Sequence, residues 1–206
     1  MSAHRLVLAT RNKGKIEECR RILEEIAPDS IELLGLEQFP DMQDVEETGS
    51  SFQENSLLKA RAICKETGLP ALADDSGICI DALGGAPGIF SARWSGVHGD
   101  DKANIAKVLT QLDGLAPEKR GAHFTCVTSF VTPDGFELTQ EGILRGYILN
   151  EPIGTLGFGY DPIFVPEGLT SSFAQMQAGE KDAISHRGKS LRAIAPQVAV
   201  RLRTLG

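Results

Sequence analysis

Three features of the 206-residue chain predict a three-layer α/β protein. Apolar runs rich in β-formers alternate with segments whose apolar residues recur at helical spacing. No internal repeat, low-complexity tract or linker composition breaks that alternation. Hydrophobic residues make up 41% of the chain and charged residues 24%. A chain of this length suits one domain, 1–206, and buries roughly 70% of its unfolded surface.

In chain order, "RLVLAT" (5–10) is a compact β-forming run. "GKIEECRRILEEIA" (14–27) places Ile16, Cys19, Ile22, Leu23 and Ile26 on one helical face, and Pro28 with Asp29 ends it. "IELLGL" (31–36) predicts a second strand, and "FPDMQDVEETGS" (39–50) an acidic, breaker-rich loop. Ser51 and Glu54 form a capping-box pattern that opens a helix running to about Glu66 and stopping at Gly68. "PALADDSGICIDALGG" (70–85) begins as an apolar strand and ends, on this reading, at Asp74 and Asp75. "GGAPGIFSARWSG" (84–96) reads as irregular. "DDKANIAKVLTQLDGL" (100–115) is helical, with acids in the first turn where the macrodipole favours them. Residues 122–149 read as a long β-hairpin around Pro133, Asp134 and Gly135. "GTLGFGYDPIF" (154–164) is punctuated by glycine, and a basic helix closes the chain from about Ser185.

The formal net charge of −7 argues against a nucleic-acid partner, because a basic face supplies most of that affinity. No apolar run approaches the ~18 residues a membrane helix needs. The N-terminal segment lacks a secretory pattern, and Cys19, Cys64, Cys79 and Cys126 form no CxxC pair. Four buried, reduced thiols in the cytoplasm are the expectation.

Several stretches carry chemistry. In "ATRNKGKIEE" (9–18) a loop leads into a helix whose first amides face any anion placed there, and Asn12 and Lys15 add side-chain donors. The loop lacks the Walker A pattern, and a plain exposed turn with solvated lysines is its competing reading. Asn55 and Lys59, four residues apart, share one helix face. Alternation along a strand points Asp74 and Asp75 to opposite sides, so they cannot form a side-by-side dyad. One of them is available to ligate Mg²⁺ and to orient or deprotonate a water, whereas a structural turn needs neither role. "FGYD" (158–161) offers aromatic faces for a flat base or for a core. Lys181, His186, Arg187, Lys189 and Arg192 concentrate charge near the C-terminus. Phosphate donors, carboxylates for a hard cation and an aromatic platform together fit a nucleoside triphosphate with Mg²⁺.

Five motifs in order, "ATRNKGK", "EETGSSFQENSLLKA", "ALADDSGICIDALGGAPGIFSARWSG", "GFGYDPIF" and "EKDAISHRG", make the chain resemble the non-canonical purine nucleoside triphosphate pyrophosphatases. The resemblance covers nearly the full chain. It implies a long twisted mixed β-sheet with two lobes flanking a nucleotide cleft, a homodimer, and hydrolysis of ITP, dITP and XTP to monophosphate and pyrophosphate. By the same resemblance Thr10, Arg11, Asn12, Lys13, Gly14, Lys15 and Lys59 hold the triphosphate, and Glu47 and Asp75 bind Mg²⁺. The resemblance also implies that Asp75 is the catalytic proton acceptor and that Ser76 contacts substrate. It further implies that Phe158 stacks on the base, that Gly159, Tyr160 and Asp161 complete that wall, and that Lys181, His186 and Arg187 face the purine. Arg11 stands where some relatives carry glycine, and a one-residue shift in the loop would select Glu46 over Glu47. The alternatives are a pyrophosphatase for other modified or pyrimidine nucleotides on a related fold, and a nucleotide-binding regulator without turnover.

Overall fold

Strands fall on the β-forming runs and helices on the segments of helical spacing in the computed structural model, which describes residues 4–28 and 31–205. In order these are β1 (His4–Leu8), α1 (Lys13–Ile26), β2 (Ile31–Gly35), α2 (Phe52–Thr67), β3 (Ala71–Ile80), α3 (Asp101–Gln111), β4 (Gly121–Val131), β5 (Glu137–Ile148), β6 (Phe164–Pro166), α4 (Ala178–Ile184) and α5 (His186–Leu205). Asp29, read with Pro28 as the end of the first helix, lies outside the described residues.

One six-stranded sheet has the order β2-β1-β3-β4-β5-β6. Strand β1 runs parallel to β2, with Leu6 opposite Leu33, and parallel to β3, with Leu8 opposite Leu72. Strands β5 and β6 are antiparallel, with Tyr147 opposite Val165. The sheet is therefore mixed, and the expected α/β class holds.

The chain divides into two compact units. The first holds the residues up to Asp75, Cys126–Gly142 and those from Arg187 onward; the second holds Ser76–Thr125 and Ile143–His186. In the first unit, strand alternation sorts the core into two layers. Leu6, Leu8, Leu72 and Phe130 pack with Cys19, Ile22 and Leu23 of α1 and Leu191, Ile194 and Val198 of α5. Val7, Ala71, Ala73 and Val131 pack on the other side with Ala60, Ile63 and Cys64 of α2. Each face of a parallel sheet needs a helical cover, and this sequence supplies one. In the second unit, Ile78, Ile80 and Phe124 pack with Ile105, Val108 and Leu112 of α3 and with Tyr160, Phe164 and Phe173.

Two local expectations are corrected. Strand β3 does not end at Asp75 but runs to Ile80, because Ile78 and Ile80 bury fully and Ile78 N–H donates to Ser91 Oγ at 2.9 Å. The α2 capping box is half-formed. Ser51 Oγ accepts from Glu54 N–H, but the Glu54 carboxylate takes Ser50 N–H and Oγ–H instead of reaching Ser51. The basic final helix begins at His186, as expected, and a separate short helix, α4, precedes it, its start tied by Gln177 N–H donating to Glu180. The end of α2 is as expected, with Gly68 left-handed at φ 67°. All four cysteines are free thiols, although Cys79 is only half-buried.

Candidate active site

Alternation along β3 decides where its two aspartates go. Asp74 shares the face of Leu72 and meets side chains of α1 and α5, whereas Asp75 shares the face of Ala73 and meets α2. Asp74 Oδ2 lies 3.0 Å from Lys15 Nζ and 3.2 Å from Arg187 Nη2, and it accepts from the Cys126 thiol at 3.8 Å. Arg187 Nη1 also donates to Glu18 on α1. Burial by itself would raise the Asp74 carboxyl, but Lys15 and Arg187 outweigh it and hold the group far below the usual carboxylate range. Burial likewise opposes the charge of Arg187, and Asp74 and Glu18 more than restore it. Each buried charge here has a partner, as its desolvation requires.

On the opposite face, Lys59 Nζ donates to Glu47 Oε1 at 2.8 Å and to Asp75 Oδ1 at 3.3 Å. Asn55 Nδ2 donates to Asp75 Oδ2 at 3.2 Å, while Asn55 Oδ1 accepts from Gly49 N–H and fixes the loop that carries Glu47. One ammonium thus bridges two carboxylates. Of the adjacent acids, Glu47 turns toward Lys59 and Glu46 is exposed. Burial raises the Asp75 pKa, opposed by Lys59 and Lys15 and reinforced by Glu47; the net direction is upward. A carboxylate so shifted accepts a proton more readily than a free aspartate does. Glu47 and Asp75 are hard oxygen donors. Mg²⁺ characteristically takes one or two carboxylates and completes its shell with phosphate and water, so this donor set fits that ion.

At the start of α1, Asn12 Oδ1 caps the helix by accepting from Lys15 N–H at 3.1 Å, and Thr10 Oγ1 accepts from Asn12 N–H. Gly14 lies in the first turn and Lys13 is exposed. Arg11 is turned to the acidic loop, with Nε on Asp44 at 2.9 Å and Nη2 on the Met42 carbonyl.

The second unit holds the aromatic wall. Lys181 Nζ lies 4.7 Å from the Phe158 ring centroid and pairs with Asp161 at 2.5 Å, while Asp161 also accepts from Phe158 N–H at 2.9 Å. Asp161 and Lys181 are both buried, so they brace the wall. Tyr160 is buried too and donates its hydroxyl to the Ser91 carbonyl at 2.9 Å. His186 stacks flat on Phe124, with centroids 4.6 Å apart and planes 9° apart. Ser76 is half-buried at the start of this unit.

The structure therefore brings together Lys15 with Asp74, Glu47 with Lys59 and Asp75, and Phe158 with Asp161 and Lys181. For Arg187 the structure adds two carboxylate partners. That guanidinium is 1% exposed in the first unit, with Nε and Nη2 on Asp74 and Nη1 on Glu18. Glu18 was missed by sequence reasoning. Its signal was legible, since it follows Lys15 by three residues and stands among the apolar positions of α1.

Fold and site define a mixed-sheet α/β protein that sets paired carboxylates against lysines in one unit and builds an aromatic wall in the other. The sequence profile of the Ham1 family matches residues 6–197, and the chain belongs to that family. It is 56% identical over 194 residues to the dITP/XTP pyrophosphatase of Streptomyces avermitilis, covering 94% of this chain and 96% of that one. The Corynebacterium efficiens dITP/XTP pyrophosphatase is 49% identical, with 95% and 97% covered. Among solved structures, a HAM1 protein of Coxiella burnetii matches with a TM-score of 0.84 at 40% identity, covering 95% and 98%. The Staphylococcus aureus Ham1 protein matches with a TM-score of 0.83 at 38% identity, covering 96% and 99%.

Proposed function

We propose that this protein is a Mg²⁺-dependent pyrophosphatase that converts dITP, XTP and ITP to the monophosphate and pyrophosphate, removing deaminated purines from the precursor pool. The observation that carries the reading is the Glu47–Lys59–Asp75 bridge, with the charge of Lys15 also acting on Asp75, in a chain whose relatives are named dITP/XTP pyrophosphatases. In this reading the triphosphate engages the first unit through Lys15, Lys59 and the first turn of α1, with Thr10, Asn12, Lys13 and Gly14 shaping that turn. Arg11 contributes through its hold on the acidic loop. Mg²⁺ held by Glu47 and Asp75 would neutralise charge on the phosphate oxygens.

Asp75 takes a proton from the water whose oxygen adds to the α-phosphorus. The bridging P–O bond breaks, and pyrophosphate leaves with the electron pair. Lys15 and Lys59 match the charge that develops on it. The base stacks on Phe158, with Gly159, Tyr160 and Asp161 setting that wall, Ser76 nearby in sequence to Asp75, and Lys181 and His186 as polar neighbours of the purine. A 6-oxo group accepts from such donors, whereas the 6-amino group of adenine opposes them. Arg187 would add a donor to this set while Asp74 and Glu18 hold its guanidinium in place, since three of its five N–H groups serve them.

The enzyme would work as a cytoplasmic homodimer; its four free thiols support the compartment, and light scattering tests the dimer. Among the described residues no helix is long and apolar enough to cross a membrane. The net charge of −7 disfavours a nucleic-acid partner. Metal removal tests the cofactor: chelation should abolish turnover and added Mg²⁺ restore it. Full turnover in the presence of chelator would remove Mg²⁺ from the reading.

A further inference from the structure

Phe158 sits in a turn between two left-handed glycines, Gly157 at φ 76° and Gly159 at φ 58°. The turn carries its own bonds, Asp161 N–H to the Phe158 carbonyl at 3.2 Å and Phe158 N–H to the Asp161 carboxylate at 2.9 Å, and neither holds the Gly159 amide. One fixing bond comes from α3. Asp101, in the first turn of that helix, accepts from Gly159 N–H through Oδ2 at 2.8 Å. The helix does not need this carboxylate for its own cap, because Asp100 Oδ1 already accepts from Ala103 N–H at 3.0 Å. The neighbouring Tyr160 is anchored in the same direction of the chain by its hydroxyl on Ser91 O. Asn104, one turn along α3 from Asp101, accepts from Ser95 N–H at 2.7 Å and so ties α3 to the segment that holds Ser91.

We infer that Asp101 is a positioning residue for the base: its carboxylate holds the Gly159 amide and thereby sets the Phe158 ring on which the purine stacks. The inference rests on the proposed stacking role of Phe158. Asp101 is exposed and belongs to no core cluster, so its bond to Gly159 does little for the fold and much for one backbone position. Hydrogen bonds with an ionised acceptor are stronger than neutral ones, and partial solvent exposure tempers the gain.

Steady-state kinetics with dITP, together with inhibition by inorganic tripolyphosphate, test this on the full-length protein. Tripolyphosphate carries the phosphates without a base, so it reports the first unit alone. Asp101→Ala should raise KM for dITP about three- to tenfold with kcat little changed, and should leave the inhibition constant of tripolyphosphate where it was. Asp101→Asn, which keeps an acceptor oxygen, should recover most of the loss. In a Phe158→Ala background, Asp101→Ala should add nothing further, since the ring it positions is gone. An unchanged KM in Asp101→Ala, with Phe158→Ala impaired, would overturn the inference and leave the stacking role standing. Equal weakening of dITP and tripolyphosphate would also overturn it, as a general loss of structure. If Phe158→Ala itself leaves KM unchanged, the stacking role and the inference fail together.

Discussion

Asp75 and Asp74 are adjacent, yet their surroundings drive them apart. Asp74 is surrounded by cations and held far below the usual range, so it serves as a fixed negative charge. Asp75 is buried beside one lysine and one further carboxylate, and burial shifts it upward, the direction that favours taking up a proton. Asp75→Asn should lower kcat by about 10²–10⁴-fold while nucleotide binding, read by calorimetry, persists. Retained turnover would take Asp75 out of the chemistry. Glu18 makes a separate prediction. Its loss leaves Arg187 buried with one carboxylate instead of two, so Glu18→Ala should cost about 3 kcal/mol in urea unfolding. A cost near zero would mean that water replaces the carboxylate at no penalty.

Elements hold these residues through small devices that differ in how plainly the sequence announces them. Strand alternation was readable from "ALADD", and it placed the two aspartates on opposite faces, as found. The continuation of β3 to Ile80 was not readable, because Ser76 and Gly77 look like a turn until Ser91, thirteen positions beyond Ile78, supplies an acceptor to Ile78 N–H. The resemblance carried by "SHRG" assigns Arg187 to the purine, while its partners Glu18 and Asp74 are 169 and 113 positions away, a separation that periodicity cannot bridge. The Gly157 turn shows the same limit. A Cβ there would stand 2.1 Å from Asp161 Oδ2, the atom that binds both Lys181 and Phe158 N–H. Gly157→Ala should therefore raise KM for dITP and lower the melting temperature together, since the left-handed backbone alone costs about 1–3 kcal/mol. An unaltered KM would show that the wall tolerates displacement of Asp161.

At the scale of the whole molecule, the two units divide the chemistry. The first gathers Lys15, Glu47, Lys59 and Asp75, groups suited to phosphate, metal and proton transfer. The second gathers Phe158, Lys181 and His186, groups suited to a flat, oxygen-bearing ring. An unspecific triphosphatase would need only the first set, so base preference is where the reading is most exposed. The direct measurement is product analysis by chromatography after dITP, XTP, ITP, dATP, GTP and dTTP are each incubated with the purified protein, with and without Mg²⁺. Metal-dependent release of intact pyrophosphate and monophosphate from dITP, XTP and ITP, with little from dATP, GTP or dTTP, is the outcome expected. Orthophosphate and diphosphate products, or equal turnover of dATP and dITP, would contradict the proposed bond cleavage or the proposed base reading respectively.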